Sequence, residues 1–107
     1  MRVIEIRSYR LRAGSRGRFH QLLEEQSLPL MQAWGIDVLR FGPSLQDECG
    51  YFLLRAFADM ADLQATQAAF YASEGWRNGP REAIVALIES DSNVVLALSE
   101  AAIAALR

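Results

Sequence analysis

Read along its length, the chain changes hydrophobic period in the order strand, helix, strand, strand, helix, strand, and few folds accept that order. Val3 to Leu11 alternates, with Ile4 and Ile6 on one face and Glu5, Arg7 and Tyr9 on the other. Ala13-Gly14-Ser15 breaks the alternation, and Ser15 is the N-cap candidate for a first helix. Phe19, Leu22, Leu23 and Leu30 then recur at helical spacing and predict that helix from Arg16 to Ala33, kinked or broken near Pro29 and closed by Gly35. Ile36 to Phe41 and Gly50 to Phe57 are two further strands, joined through turn formers and acids at Gly42 to Glu48. Ala58 to Tyr71 is Ala-rich, opens on the cap candidate Asp59, and reads as helix. Ser73 to Trp76 interrupts it, and Pro80 starts a second helical piece reaching about Glu89. Asn93 to Leu98 is the last strand, followed by an apolar tail, Ala101 to Leu106, whose state the pattern leaves open.

Short connections and right-handed crossovers turn this order into a ferredoxin-like βαββαβ unit. The expected class is α+β, with a four-stranded antiparallel sheet in the order 4-1-3-2 and both helical segments on one face. A chain of 107 residues has room for a single domain, 1–107, with its core over about 3–98 and a tail over 99–107. A domain of this size hides roughly two thirds of its unfolded surface. Helices on one side leave the other side of the sheet bare, so the pattern predicts that a second copy of the chain covers it. The expected partner is the chain itself, as a homodimer.

Composition removes several classes of function. A formal charge of −2 gives no case for nucleic-acid or membrane binding. All 11 basic residues are arginine, so there is neither a Schiff-base lysine nor a P-loop lysine. The lone Cys49 cannot form an intrachain disulfide and fits a reducing compartment. No stretch reaches the roughly 18 apolar residues of a membrane span, and the N-terminal alternation is unlike a signal peptide. The expected location is cytoplasmic.

Chemistry-bearing residues gather on one strand parity. With Ile4 and Ile6 assigned to the helices, Glu5, Arg7 and Tyr9 point away, together with Tyr51, Leu53, Arg55 and Phe57 of the third strand. Val38 and Arg40 of the second strand share that parity. Such a face is too charged for a dry core and too apolar for bare solvent, and a second sheet against it would enclose a semi-polar chamber. Glu5, Arg7, Tyr9 and Arg55 are therefore the expected catalytic group, and Arg40, Tyr51, Phe57 and Trp76 the expected substrate-binding group. Mutual pairing of Glu5 with the arginines is the plain structural alternative. A guanidinium left over from that pairing would suit an anionic or carbonyl-bearing ligand. Arginine could stabilise an enolate or a carboxylate, and Glu5 is the only base candidate near it. Trp34 and Trp76 sit at helix ends, where packing is the usual role, and Trp76 is the better pocket wall.

The remaining candidates are weaker. His20 is the only histidine, so a multi-histidine metal site is excluded and no metal is expected. Asp59 and Asp62 are read as partners of a helix N-terminus, and Cys49 as an ordinary thiol. Arg10, Arg12, Arg16 and Arg18 cluster where a helix starts, without any Gly-rich phosphate cradle.

The pattern resembles the NIPSNAP family, within the dimeric α/β-barrel superfamily. The likeness rests on Ile4-Glu5-Ile6-Arg7-Ser8-Tyr9-Arg10-Leu11 with Gly14, then Ser27-Leu28-Pro29-Leu30 before Gly35-Ile36. It continues through Leu54-Arg55-Ala56-Phe57-Ala58-Asp59-Met60-Ala61-Asp62 and Glu74-Gly75-Trp76-Arg77. It implies two ferredoxin-like sheets meeting face to face across a two-fold axis. Related barrels include cofactor-independent monooxygenases, lactone isomerases and haem-binding enzymes, but His20 on the first helix is no candidate haem ligand. Ala97-Leu98-Ser99 departs from the proline-containing close expected of the family. The resulting expectation is a protein that binds or converts a small aromatic or carbonyl/carboxylate compound in the dimer barrel with no cofactor, its activity monooxygenase- or isomerase-like if it has one. The alternative is a non-enzymatic homodimeric interaction module.

Overall fold

The computed structural model describes residues 1–107. The strands are β1 (Arg2–Leu11), β2 (Asp37–Pro43), β3 (Gly50–Phe57) and β4 (Ile88–Leu98). They form one antiparallel sheet in the order β2-β3-β1-β4, which is the expected 4-1-3-2 read from the other edge. The helices are α1 (Arg16–Leu22), α2 (Leu28–Ala33), α3 (Met60–Ala72), α4 (Glu74–Arg77), α5 (Arg81–Val85) and α6 (Glu100–Ala105).

The first helical segment is not continuous. A π-helical turn over Leu23–Ser27 separates α1 from α2, just ahead of Pro29 in the first turn of α2. Pro29 has no N–H to donate, and the backbone changes register before it. Gly35 closes α2 with φ 83, as expected of a residue without Cβ. Ser15 occupies the N-cap position of α1 without capping it, because its hydroxyl instead donates to the Arg12 carbonyl at 2.6 Å. Asp59 does cap α3: its carboxylate accepts the Asp62 N–H at 2.8 Å, and the Asp62 carboxylate accepts the Ala58 N–H at 2.9 Å.

Two ends differ from expectation. β4 starts at Ile88, not Asn93, and the helical piece before it stops at Val85. Glu89 to Asn93 lacks apolar alternation because it is exposed on both faces, yet Ser90 to Asn93 pair with β1 from Arg10 to Arg7. The tail is helical: Ser99 accepts the Ala102 N–H at 3.2 Å, and Ile103 is buried against Ile4, Leu39 and Ala56.

The largest correction concerns which face of the sheet meets the helices. The main core joins Tyr9, Tyr51, Leu53 and Phe57 to Phe19, Leu22, Met31, Leu63, Phe70 and Trp76 from the helical layer. Glu5, Arg7, Tyr9 and Arg55 thus lie under the helices, and Ile4 and Ile6 point to the opposite side. The reason is side-chain size and pairing. Tyr, Phe and Leu reach far enough to fill the space beneath the helices, and the charged residues on that face satisfy one another. The bulky Phe19 is completely buried there, worth about 1.5–3 kcal/mol for such a side chain. On the outer face, Ile6, Phe52, Leu54 and Val94 are left beside the patch that α6 covers.

Candidate functional site

Strand register brings the charged residues together. Glu5 and Arg55 are directly opposite on β1 and β3, and Arg7 is opposite Asn93 on β4. One turn apart on α3, Gln67 and Tyr71 reach the same spot from above. Both carboxylate oxygens of Glu5 are saturated. Oε1 accepts from Arg55 Nη2 at 2.6 Å and Nε at 3.2 Å. Oε2 accepts from Gln67 at 2.8 Å, Arg7 Nη2 at 3.1 Å and Asn93 at 3.2 Å. The Tyr71 hydroxyl accepts from Arg55 Nη1 at 3.0 Å and from Arg7 Nη1 at 3.5 Å. Both guanidiniums also lie within 6 Å of the Tyr71 ring centre, at 5.8 and 5.9 Å.

The cluster is charge-unbalanced, with two guanidiniums sharing one carboxylate. Burial alone would push the Glu5 carboxyl up, but Arg55, Gln67 and Arg7 outweigh it and hold the pKa at about 2. Glu5 is therefore ionised and very weakly basic, with its lone pairs engaged. Burial opposes the charge on Arg7 and Arg55 as well, but Glu5 and the neighbouring phenol oxygens keep both arginines charged. Burial pushes Tyr9 up to about 12, against the pull of Arg7 and Arg55, so its phenol stays protonated at neutral pH.

The two arginines differ in access. The side chain of Arg55 is fully buried, with every nitrogen near an acceptor, including Met31 Sδ at 3.7 Å from Nη1. Arg7 is 17% exposed, and its buried Nε donates to nothing. It stands in the wall of an open cleft of about 410 Å³ between the β4 side of the sheet and the α3–α5 segment. Tyr9, Tyr71 and Trp76 supply the aromatic walls, Ile84 and Ile88 the aliphatic ones, and Arg81 and Asp91 add charge. The cleft combines an apolar lining with convergent donors, as small-molecule sites do.

Of the eight expected site residues, the structure brings Arg7, Tyr9 and Trp76 to this cleft. Glu5 pairs with Arg7, Arg55 meets it only through Glu5 and the Tyr71 hydroxyl, and the Glu5 and Arg55 side chains are fully buried. Tyr51 is on the same face but under α1, its hydroxyl 2.6 Å from His20 Nδ1, with Glu24 at 3.2 Å from the other ring nitrogen. Phe57 is core, 3% exposed. Arg40 is on the other side of the sheet: Val38 is opposite Arg55 but Arg40 is opposite Leu54, because a bulge at Leu39 shifts the register. The expected chamber between two sheets is therefore not where these residues meet.

Gln67, Tyr71, Arg81 and Asn93 were missed by sequence reasoning. Gln67 and Tyr71 carried a usable signal, a polar i, i+4 pair on an otherwise Ala-rich helix. The four N-terminal arginines do not converge on an anion site. Arg12 donates to the Ala86 carbonyl at 2.8 Å, Arg16 to the Asp47 carbonyl at 2.7 Å and Arg18 to Gln21 at 3.1 Å, and Arg10 pairs with Glu89 at 3.5 Å. No group of three or more acidic, Cys or His side chains is placed to hold a metal, and no helix is long and apolar enough to cross a membrane.

Strand order and the layer of helices α1 to α5 over one face of the sheet define a ferredoxin-like α+β domain. The NIPSNAP family model matches residues 4–101, and the chain belongs to the NIPSNAP family. A NIPSNAP family protein from Agrobacterium tumefaciens has a similar structure, with TM-score 0.85 at 17% identity over 94% of this chain and 95% of the other. An uncharacterised NIPSNAP domain protein from Burkholderia xenovorans gives TM-score 0.81 at 18% identity, over 92% and 95%. The fold extends to a candidate antibiotic biosynthesis monooxygenase from Caulobacter crescentus, with TM-score 0.71 at 12% identity over 92% and 91%. No curated protein matches the chain.

Proposed function

We propose that the protein binds a small aromatic carboxylate or carbonyl compound, without a bound cofactor, in the cleft beside Arg7. One observation carries the reading: Arg7 shares its only carboxylate with Arg55, has a buried donor without an acceptor, and walls an aromatic cleft. A ligand anion would balance the excess charge, and Tyr9, Tyr71 and Trp76 would take its ring. Because the Tyr71 oxygen accepts from both arginines, its own proton remains to be donated. Any turnover at such a site would be electrophilic. Arg7 and the phenols would stabilise an enolate or oxyanion, in the manner of a cofactor-independent monooxygenase or isomerase. Arg55 and Glu5 would hold Arg7 in place, since Glu5 is too weakly basic to take a proton.

Titration of benzoate, phenylacetate and acetophenone against the protein, followed by calorimetry and by Trp76 fluorescence in a Trp34→Phe background, tests this. Arg7→Gln should weaken binding of the two acids at least about tenfold, the scale of one charge-assisted contact, and affect the ketone less. Equal affinity in the variant, or no binding of any of the three, would sink the reading.

A second reading concerns the other side of the sheet. Ile6 is 36% exposed and Val94 61%, beside Phe52 and Leu54, and β4 is a long free edge. We propose that a second copy of the chain covers this face, giving a homodimer. A dimer by light scattering would support this reading, and a monomer would overturn it; a dimer that takes up none of the three probes would favour an interaction module over the cleft reading.

A further inference from the structure

The cleft beside Arg7 holds a carboxylate that the proposed function leaves unused. Asp91 is opposite Tyr9 and Asn93 is opposite Arg7, so all four share the face under the helices. Asn93 is engaged, donating to Glu5 at 3.2 Å. Asp91 is not. Its side chain lines the cleft, is exposed, and forms no ion pair, not even with Arg81 of α5 in the same cleft.

Arg7 and Asp91 are diagonal neighbours on adjacent strands, a relation that sets side chains about 7–8 Å apart at their bases. One small bound group can therefore reach both. A plain acid held at Arg7 lies close to a second, unpaired carboxylate and is repelled by it. The same acid carrying a cation on the Asp91 side meets each charge with the opposite sign. An unpaired charge that disfavours one ligand and favours another is a source of selectivity. An acid on an edge strand also discourages pairing with another strand. That role requires only a charge on the edge and has no effect on what the cleft selects.

We infer that Asp91 takes a ligand ammonium group and that the cleft selects aromatic amino acids over plain aromatic acids. This rests on the cleft reading above and narrows its ligand class. The carboxylate meets Arg7 and the ring lies against the aromatic wall. The ammonium, one or two carbons from the carboxylate, meets Asp91.

Five probes test it by calorimetry at neutral pH: phenylacetate against phenylglycine, and 3-phenylpropionate against phenylalanine and 3-amino-3-phenylpropionate, each amino acid as both enantiomers. At least one amino acid should bind about fivefold tighter than its parent acid, the scale of a partly exposed charge pair. Asp91→Asn should weaken that amino acid and tighten the parent, bringing the ratio close to one. The variant should fold, because Asp91 is exposed and unpaired, and opposite shifts of two ligands cannot come from a damaged fold. If the parent acids bind and no amino acid binds tighter, the ammonium site is overturned while the cleft stands. A preference that survives in Asp91→Asn also overturns it and leaves Asp91 as a guard of the sheet edge. Amino acids that bind where their parents do not support the inference if Asp91→Asn and Arg7→Gln both weaken them, and overturn it otherwise. If none of the five compounds binds, the cleft reading falls and the ammonium site falls with it.

Discussion

The two faces of the sheet invert the usual relation between polarity and burial. The face with Glu5, Arg7, Arg55, Tyr9 and Tyr51 is the closed one, while the aliphatic face with Ile6, Leu54 and Val94 is partly open. Closure on the first side is made possible by stoichiometry: five donors meet one carboxylate, and two guanidiniums meet one phenol oxygen. A buried ion needs partners more than it needs water, and here strand register and α3 provide them. The aliphatic face needs only another apolar surface. α6 supplies that at one end, where Ile103 is 1% exposed. Polarity along a strand therefore says which groups must be satisfied, not which side the helices cover.

Breaking the closed face should have the largest effect. Glu5→Ala leaves Arg55 buried without its counter-ion and should cost about 3–5 kcal/mol in urea denaturation. Adding Arg55→Leu should recover part of the loss, since it removes the fully buried guanidinium and leaves only Arg7, 17% exposed, without its carboxylate. A loss below about 1 kcal/mol in the single variant would mean that the face is wetter than the structure shows.

Acid probes the same contrast without mutation. Glu5 has a folded pKa of about 2 against 4.5 for the free group, so its contribution is complete above about pH 4.5. That contribution, on the order of 3 kcal/mol, should drain away as pH falls from 4.5 through 2. Denaturation curves between about pH 7 and 2 should show this slope in wild type and a shallower one in Glu5→Gln.

The open face should respond in the opposite way. Val94→Arg removes little buried contact within one chain, so monomer stability should change by about 0.5 kcal/mol or less, whereas Ile6→Glu, at 36% exposure, should cost about 1–2 kcal/mol. If a second copy covers this face, either charge should shift the light-scattering mass to monomer, with a loss of about 2 kcal/mol or more in association. A variant that still assembles as wild type would remove this face as the interface.

Legibility followed the same division. Periodicity exposed the strands, the main helices and their order because each needs only one apolar stripe. It could not orient the sheet, because both parities of β1 and β3 contain large apolar residues. Phe52 and Leu54 are no less apolar than Leu53 and Phe57. Once the facing was inverted, Arg7, Tyr9 and Arg55 were grouped correctly but set against the wrong neighbours, and Gln67 and Tyr71 went unseen above them. Arg40 was lost to a bulge, which parity counting cannot anticipate. The start of β4 was hidden because Glu89 to Val94 is exposed on both faces of the sheet, so neither parity has to be apolar. Trp76 packs on Phe70 and Tyr71, whereas Trp34, the other helix-end tryptophan, is 46% exposed.

The smallest effect tests whether the two faces are independent. Asp59 accepts the Asp62 N–H at 2.8 Å and starts the helix that carries Gln67 and Tyr71 over the closed face. Asp59→Ala should therefore cost about 1 kcal/mol of stability, the usual value of a lost N-cap. It should also weaken aromatic-acid binding slightly, because α3 holds Tyr71 against Arg7. No contact links this cap to Ile6 or Val94, so the oligomeric mass should stay that of the wild type. Were Asp59→Ala to loosen assembly as strongly as Val94→Arg, the sheet would be transmitting strain from one face to the other, and the closed and open sides would have to be treated as one cooperative unit.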